Sequence, residues 1–175
     1  LAAQADGWDP TKLVAFSNKK VGWKCINGHM WTSTVTSRSN GVGCPVCSGH
    51  RVLVGFNDLA TTHPELAAQA DGWDASTITS GSDKRRAWKC HHEHIWTATV
   101  GSRARGSGCP VCANQLVMVG VNDLATINPD LAAEATGWDP KTLSQWSNRK
   151  MSWLCHRGHI WKARVAERSN GNGCP

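Results

Sequence analysis

The stretch Trp23-Lys24-Cys25-Ile26-Asn27-Gly28-His29-Met30-Trp31, followed by Gly43-Cys44-Pro45-Val46-Cys47, decides the fold. It recurs at an interval of 65 residues: WKCHHEHIW at 88–96 with GCPVC at 108–112, and WLCHRGHIW at 153–161 with GCP at 173–175. Each complete copy spaces its soft ligands as C-x3-H-x14-C-x2-C. The first set is Cys25, His29, Cys44 and Cys47, the second Cys90, His94, Cys109 and Cys112, and the third Cys155, His159 and Cys174. Three thiolates and one imidazole make a closed tetrahedral set, which is what structural zinc prefers. A disulfide framework would leave one thiol over in every copy and give no role to a histidine in fixed register. A redox dithiol would need neither the third cysteine nor the histidine. His50 and His63 align with Gln115 and Asn128, so they are not ligands in every copy. Zinc is therefore the expected cofactor, in a structural role, because a catalytic zinc keeps an open position and the complete sets leave none.

The interval defines modules at 1–53, 54–118 and 119–175. A unit this small is marginal for a core of its own. Structural zinc contributes on the order of 10–16 kcal/mol of apparent binding energy, largely as folding energy. Leu1 aligns with Leu66 and Leu131 inside a helical segment, and the missing fourth ligand would fall two residues beyond Pro175. The chain thus reads as an excerpt of a longer array, with room for a nuclease or other domain outside it.

The chain contains ten Trp, two Phe and no Tyr, and no apolar run approaches a membrane span. Thiols used for metal fit a reducing cytosol, nucleoid-associated if the source is bacterial. Net charge is +6, falling to roughly +4 once two three-thiolate sites each carry about −1 with their zinc. Its distribution says more. The zinc halves, 16–53, 80–118 and 145–175, hold 17 of the 19 Lys and Arg but only three acids, Asp83, Glu93 and Glu167. Segregation repeated three times favours an anionic partner.

Each connector reads as helix, as in NDLATTHPELAAQADGWD at 57–74. Asn57 is the expected N-cap, and Pro64 restarts the helix with Glu65 in its first turn. Leu59, Leu66 and Ala70 make its apolar stripe, and Gly72 ends it. Trp73 folds back onto the helix, which puts Trp8, Trp73 and Trp138 in the core. In the zinc half, Val21 to Cys25 forms a strand. After the knuckle Trp31, Ser33 and Val35 face inward, alternating with Thr32, Thr34 and Thr36. Lys162 and Arg164 take the outward positions in the third copy, and Arg38, Arg103 and Arg168 share that parity if the strand continues. Trp23 and Trp31 pack around the zinc. Trp146 replaces Phe16 and Gly81, so it is no fixed core position. The C-P-x-C pair opens a helical turn. The fold class is a tandem array of small zinc-stabilised α+β modules, each a β-hairpin with short helices in treble-clef order.

The segment SNKKVGWKCINGHMWTSTVTSRSNGVGCPVC, with a preceding helix such as LATTHPELAA and a GWD, resembles a zinc-ribbon, or treble-clef, domain of unknown function found in tandem in bacterial and phage proteins. The resemblance covers essentially the whole chain. It implies the ligand sets already named and a nucleic-acid-binding role, with some members joined to restriction-type nuclease domains. Glu93 departs from the pattern where Gly28 and Gly158 stand, so the second knuckle is expected to need a different backbone conformation.

The leading expectation is a nucleic-acid-binding array, with double-stranded DNA as the partner. The pairs Lys19-Lys20, Lys84-Arg85 and Arg149-Lys150 persist in every copy, as phosphate contacts should. The knuckle tips at 26–28, 91–93 and 156–158 and the loops at 39–42, 104–107 and 169–172 vary, as base readers should. Arg105 and Arg157 are the candidate base contacts. Arg38, Arg103 and Arg168 occur in every copy and are assigned to the DNA backbone or to a structural role. The competing class is a protein-interaction scaffold or the targeting module of a larger nuclease. No second constellation of histidine and metal ligands recurs, and His91, His92 and His156 read as loop residues. No catalytic residue, membrane or small-molecule substrate is therefore expected.

Overall fold

A computed structural model describes residues 1–175, which fall into two compact units, 1–107 and 108–175. The strands are β1 (Ala5–Asp6), β2 (Lys20–Lys24), β3 (Met30–Thr34), β4 (Arg85–Lys89), β5 (Ile95–Thr99), β6 (Lys150–Leu154) and β7 (Ile160–Arg164). The helices are α1 (Val35–Ser39), α2 (Leu59–Thr62), α3 (Pro64–Ala67), α4 (Val100–Ala104), α5 (Leu124–Ile127), α6 (Pro129–Ala132) and α7 (Val165–Ser169). No helix is long and apolar enough to cross a membrane.

Three antiparallel hairpins, β2–β3, β4–β5 and β6–β7, repeat one register, with Trp23 opposite Trp31, Trp88 opposite Trp96 and Trp153 opposite Trp161. A connector segment pairs with the first strand of each hairpin, as a third strand only in the first module. In the first module this is β1, with Ala5 opposite Trp23 and Asp6 opposite Gly22. A Cβ on Gly22 would stand 2.6 Å from the Asp6 carbonyl oxygen, so only glycine permits this approach. Elsewhere the contact is a single bridge, Ala70 to Trp88 and Ala135 to Trp153.

The strand after each knuckle is shorter than its alternation suggests. Thr34 accepts a hydrogen bond from the Ser37 backbone N–H and caps α1, and Thr99 caps α4 in the same way. In the third copy Arg164 stands at that position, with a backbone N–H bond to Glu167 and a 3.3 Å ion pair to it. Parity therefore ends at residue 34, and the positions beyond it obey helical geometry.

Two expectations for the connector change. Asp58, not Asn57, is the N-cap: it is fully buried and accepts from the Thr61 N–H, the Thr61 hydroxyl and the Gly55 N–H. Asn57 instead staples the preceding loop, donating to the Val46 and Arg51 carbonyls. The helical run is split at His63 into α2 and α3, as the restart at Pro64 implied, because Pro64 has no N–H to continue the first piece. Trp73 turns back onto the hairpin rather than the helix. Its indole donates to the Ala87 carbonyl at 2.6 Å and its ring meets Trp88 edge-on at 5.1 Å. Trp8 and Trp138 repeat this against Trp23 and Trp153.

The core of the first module gathers Val21, Trp23, Trp31, Val35, Cys44 and Val46, with Trp8 and Leu13 against them. In the second unit it gathers Leu124, Leu131, Leu143, Trp153 and Val165. The inner tryptophans Trp23, Trp88 and Trp153 are at most 1% exposed, so they are core.

Candidate metal centres and basic face

The knuckle is a tight turn in all three copies. The Cys25 N–H donates to the His29 carbonyl at 3.0 Å and the Gly28 N–H to the Cys25 carbonyl at 2.9 Å. Gly28 and Gly158 take left-handed φ of 80° and 83°. Glu93 adopts the same conformation, φ 63°, so the second knuckle keeps the fold of the others and carries backbone strain instead. Its carboxylate meets Lys89 Nζ at 2.7 Å, an exposed pair that offsets little of that strain.

This turn brings each ligand set together. Within the sets Cys25–His29–Cys44–Cys47, Cys90–His94–Cys109–Cys112 and Cys155–His159–Cys174, all ligand atoms lie within 4.8 Å of one another. The eight cysteines form no disulfide. Cys25 and Cys47 Sγ are 3.8 Å apart, and His29 Nδ1 is 3.3–3.7 Å from the three sulfurs. Two thiolates bound about 2.3 Å from one tetrahedral zinc would stand about 3.8 Å apart. The residues therefore fit zinc, with Nδ1 as the imidazole ligand. Burial disfavours the Cys25 thiolate, but backbone N–H groups of His29 and Asn27 hydrogen-bond the sulfur and hold its pKa below that of an ordinary thiol. Cys155 is treated alike by His159 and Arg157. Burial pushes the Cys47 thiol up, although the Asn27 side chain opposes the shift. The C-P-x-C pair forms one helical turn, Ser48 N–H to Cys44 carbonyl at 3.0 Å, that does not continue into a helix.

A family profile described as "Probable Treble clef zinc finger domain" matches residues 3–50, 65–115 and 132–175. The chain belongs to this family. No curated protein matches the chain. The treble clef modules thus hold knuckle, hairpin and cysteine turn in the order expected, the third as far as Cys174, and zinc is the metal their ligands are placed to bind.

The basic residues divide into two groups. Lys19, Lys20, Lys84, Arg85, Arg149 and Lys150 are all exposed. Each pair straddles the start of the first hairpin strand, behind a serine whose hydroxyl accepts from the backbone N–H two residues on, as Ser17 does from Lys19. The hydroxyl shapes the turn and leaves the cations exposed, although Arg85 also donates to the Thr97 carbonyl at 3.0 Å. Arg105, Arg157, Lys162 and Arg164 are also exposed.

Arg38, Arg103 and Arg168 are not on the outward face. They are 7–8% exposed, because the helix that follows the strand turns them inward. Each guanidinium lies 5.0–5.4 Å from the centroids of two tryptophans, Trp23 and Trp31 for Arg38. Each also donates to a carbonyl four residues on (Val42, Ser107 or Asn172) and to a connector side chain 34 residues back (Gln4, Gln69 or Glu134). These arginines clamp connector to hairpin and are removed from the nucleic-acid contacts. The connector partners went unseen in the sequence, yet a signal was there: Glu replaces Gln at residue 134, an acceptor exchanged for a stronger one opposite an invariant arginine.

Proposed function

We propose that the chain is a zinc-dependent nucleic-acid-binding array that takes double-stranded DNA by its phosphates. The observation that carries this reading is the repeated exposed cation pair at one hairpin position in all three modules, with all the acids but Asp83, Glu93 and Glu167 in the connectors. Lys and Arg held so release counterions from a polyanion on binding. Zinc, when bound, serves the architecture and leaves no open position in the complete sets, so the chain binds without catalysing. Arg105 and Arg157 lie at the variable loop and tip and suit base edges. A reducing, cytoplasmic compartment fits thiols kept for metal.

Binding of the zinc-loaded chain to duplex DNA across a salt series tests the reading. Log affinity should fall linearly with log salt, at about −0.9 per neutralised phosphate. Salt-independent binding, or none at low salt, would transfer the chain to the protein-scaffold class.

A further inference from the structure

The turn that precedes each cation pair carries an outward group that the phosphate reading does not use. In the first module it is Phe16, 63% exposed, and in the third Trp146, 53% exposed. Both are followed directly by Ser-Asn and then by the two cations. The turn is closed from Ser17 N–H to the Val14 carbonyl at 3.2 Å and from Ser147 N–H to the Ser144 carbonyl at 3.0 Å. Phe16 has φ 68°, a left-handed conformation that a bulky residue adopts only at a cost. Phe16 holds its ring outward at this backbone cost, which neither Trp146 nor Gly81 bears at the equivalent position.

The second module has Gly81 at this position, yet the place is not left bare. Gly101 replaces Thr36 and Ala166, and a Cβ there would stand 3.2 Å from Arg105 Nη1 and 3.3–3.4 Å from the Ser82 and Gly81 carbonyl oxygens. The missing methyl lets the guanidinium of Arg105, an exposed residue, reach the turn where the other modules hold a ring. Phenyl, guanidinium and indole have one property in common: a flat face that stacks on a nucleobase.

We infer that these three groups stack on unpaired or unstacked bases, so that the array, besides gripping duplex phosphates, also takes nucleic acid whose bases are accessible, the adjacent cations gripping its phosphates. The inference rests on the nucleic-acid reading above. Its test compares oligothymidine with a blunt duplex, using the zinc-loaded full chain and the variants Phe16→Gly, Trp146→Ala and Trp146→Phe. Phe16→Gly and Trp146→Ala should each weaken oligothymidine binding about tenfold, with the salt slope unchanged because no charge is lost. Duplex affinity should hardly move, and Trp146→Phe should restore most of the loss. Phe16→Gly should also raise the melting temperature, so its lost affinity has no origin in stability. Undiminished oligothymidine binding by both variants, with salt-dependent binding intact, overturns the stacking inference and spares the phosphate reading. Failure of every protein to bind either nucleic acid overturns both.

Discussion

At the scale of the residue, two side chains show strain and satisfaction in opposite balance. Glu93 occupies a left-handed position where its two counterparts are glycine. Glu93→Gly should stabilise the second module by up to about 1 kcal/mol, the strain relieved exceeding the glycine's extra unfolded-state entropy. Thermal unfolding of the zinc-loaded chain measures this, and a lowered melting temperature would show that the Lys89 contact governs the knuckle. The clamp arginines are the converse. Arg103 sits between Trp88 and Trp96 with its fork divided between Ser107 and Gln69. Arg103→Lys keeps the charge but loses the planar fork and the stacking, and should cost its module about 2 kcal/mol. Equal stability of the lysine variant would mean that charge alone matters there.

At the scale of the element, the caps and the knuckle set what holds. Burial opposes ionisation of Asp58 and Asp123, but the Thr61 or Thr126 hydroxyl and N–H, with Gly55 or Gly120, hydrogen-bond the carboxylate and hold its pKa below the usual value. A depressed folded pKa contributes stability that is complete above the unfolded pKa, about 3.9, and is lost only as pH falls through the folded one. The melting-temperature deficit of Asp58→Asn should therefore stay constant from pH 7 to pH 5. A deficit that grows as pH falls within that window would place the folded pKa above the ordinary range. Metal acts over a wider span. Chelation should unfold the modules, and Cys44→Ser or Cys109→Ser should release about one zinc and melt its own module, since the binding energy is folding energy. Metal analysis of the native chain at under one zinc per molecule would refute this.

The ligand sets were legible because a knuckle is local: four donors at fixed spacing leave one chemistry open. The fate of Arg38 was not, because period-two parity holds only while the strand does, and the Thr34 cap ends it one residue before α1. Asp58 was overlooked for Asn57 because both are good caps, and only the buried setting, with Thr61 donating twice, separates them.

At the scale of the whole molecule, charge is arranged by module. Six exposed cations stand at three equivalent hairpin starts while the clamp arginines are withdrawn. Neutralising Arg149 and Lys150 to Gln should flatten the salt slope of duplex binding by roughly 2 units or less. The same change at Arg168 would unfold its module before it reported on phosphates. Grafting residues 91–93 and 104–107 onto the first module should alter the motif selected from random duplexes over one segment of the site, each base contact discriminating by roughly 1–3 kcal/mol. Identical preferences in both proteins would leave a binder blind to sequence.

The arginine clamp also sets where the array can be spliced. Gln4 is held by Arg38, Gln69 by Arg103 and Glu134 by Arg168, always backward over the same 34 residues. A connector therefore belongs to the hairpin that follows it. The asparagine staple binds the other way, Asn57 to the Val46 carbonyl and Asn122 to that of Val111. Excising residues 54–118 would sever one clamp together with both its partners, and bring Asn122 to Val46 as a ready substitute for Asn57. Such an array can gain or lose whole periods without exposing a broken joint, so its length is open to change by recombination while the fold of every surviving period is kept.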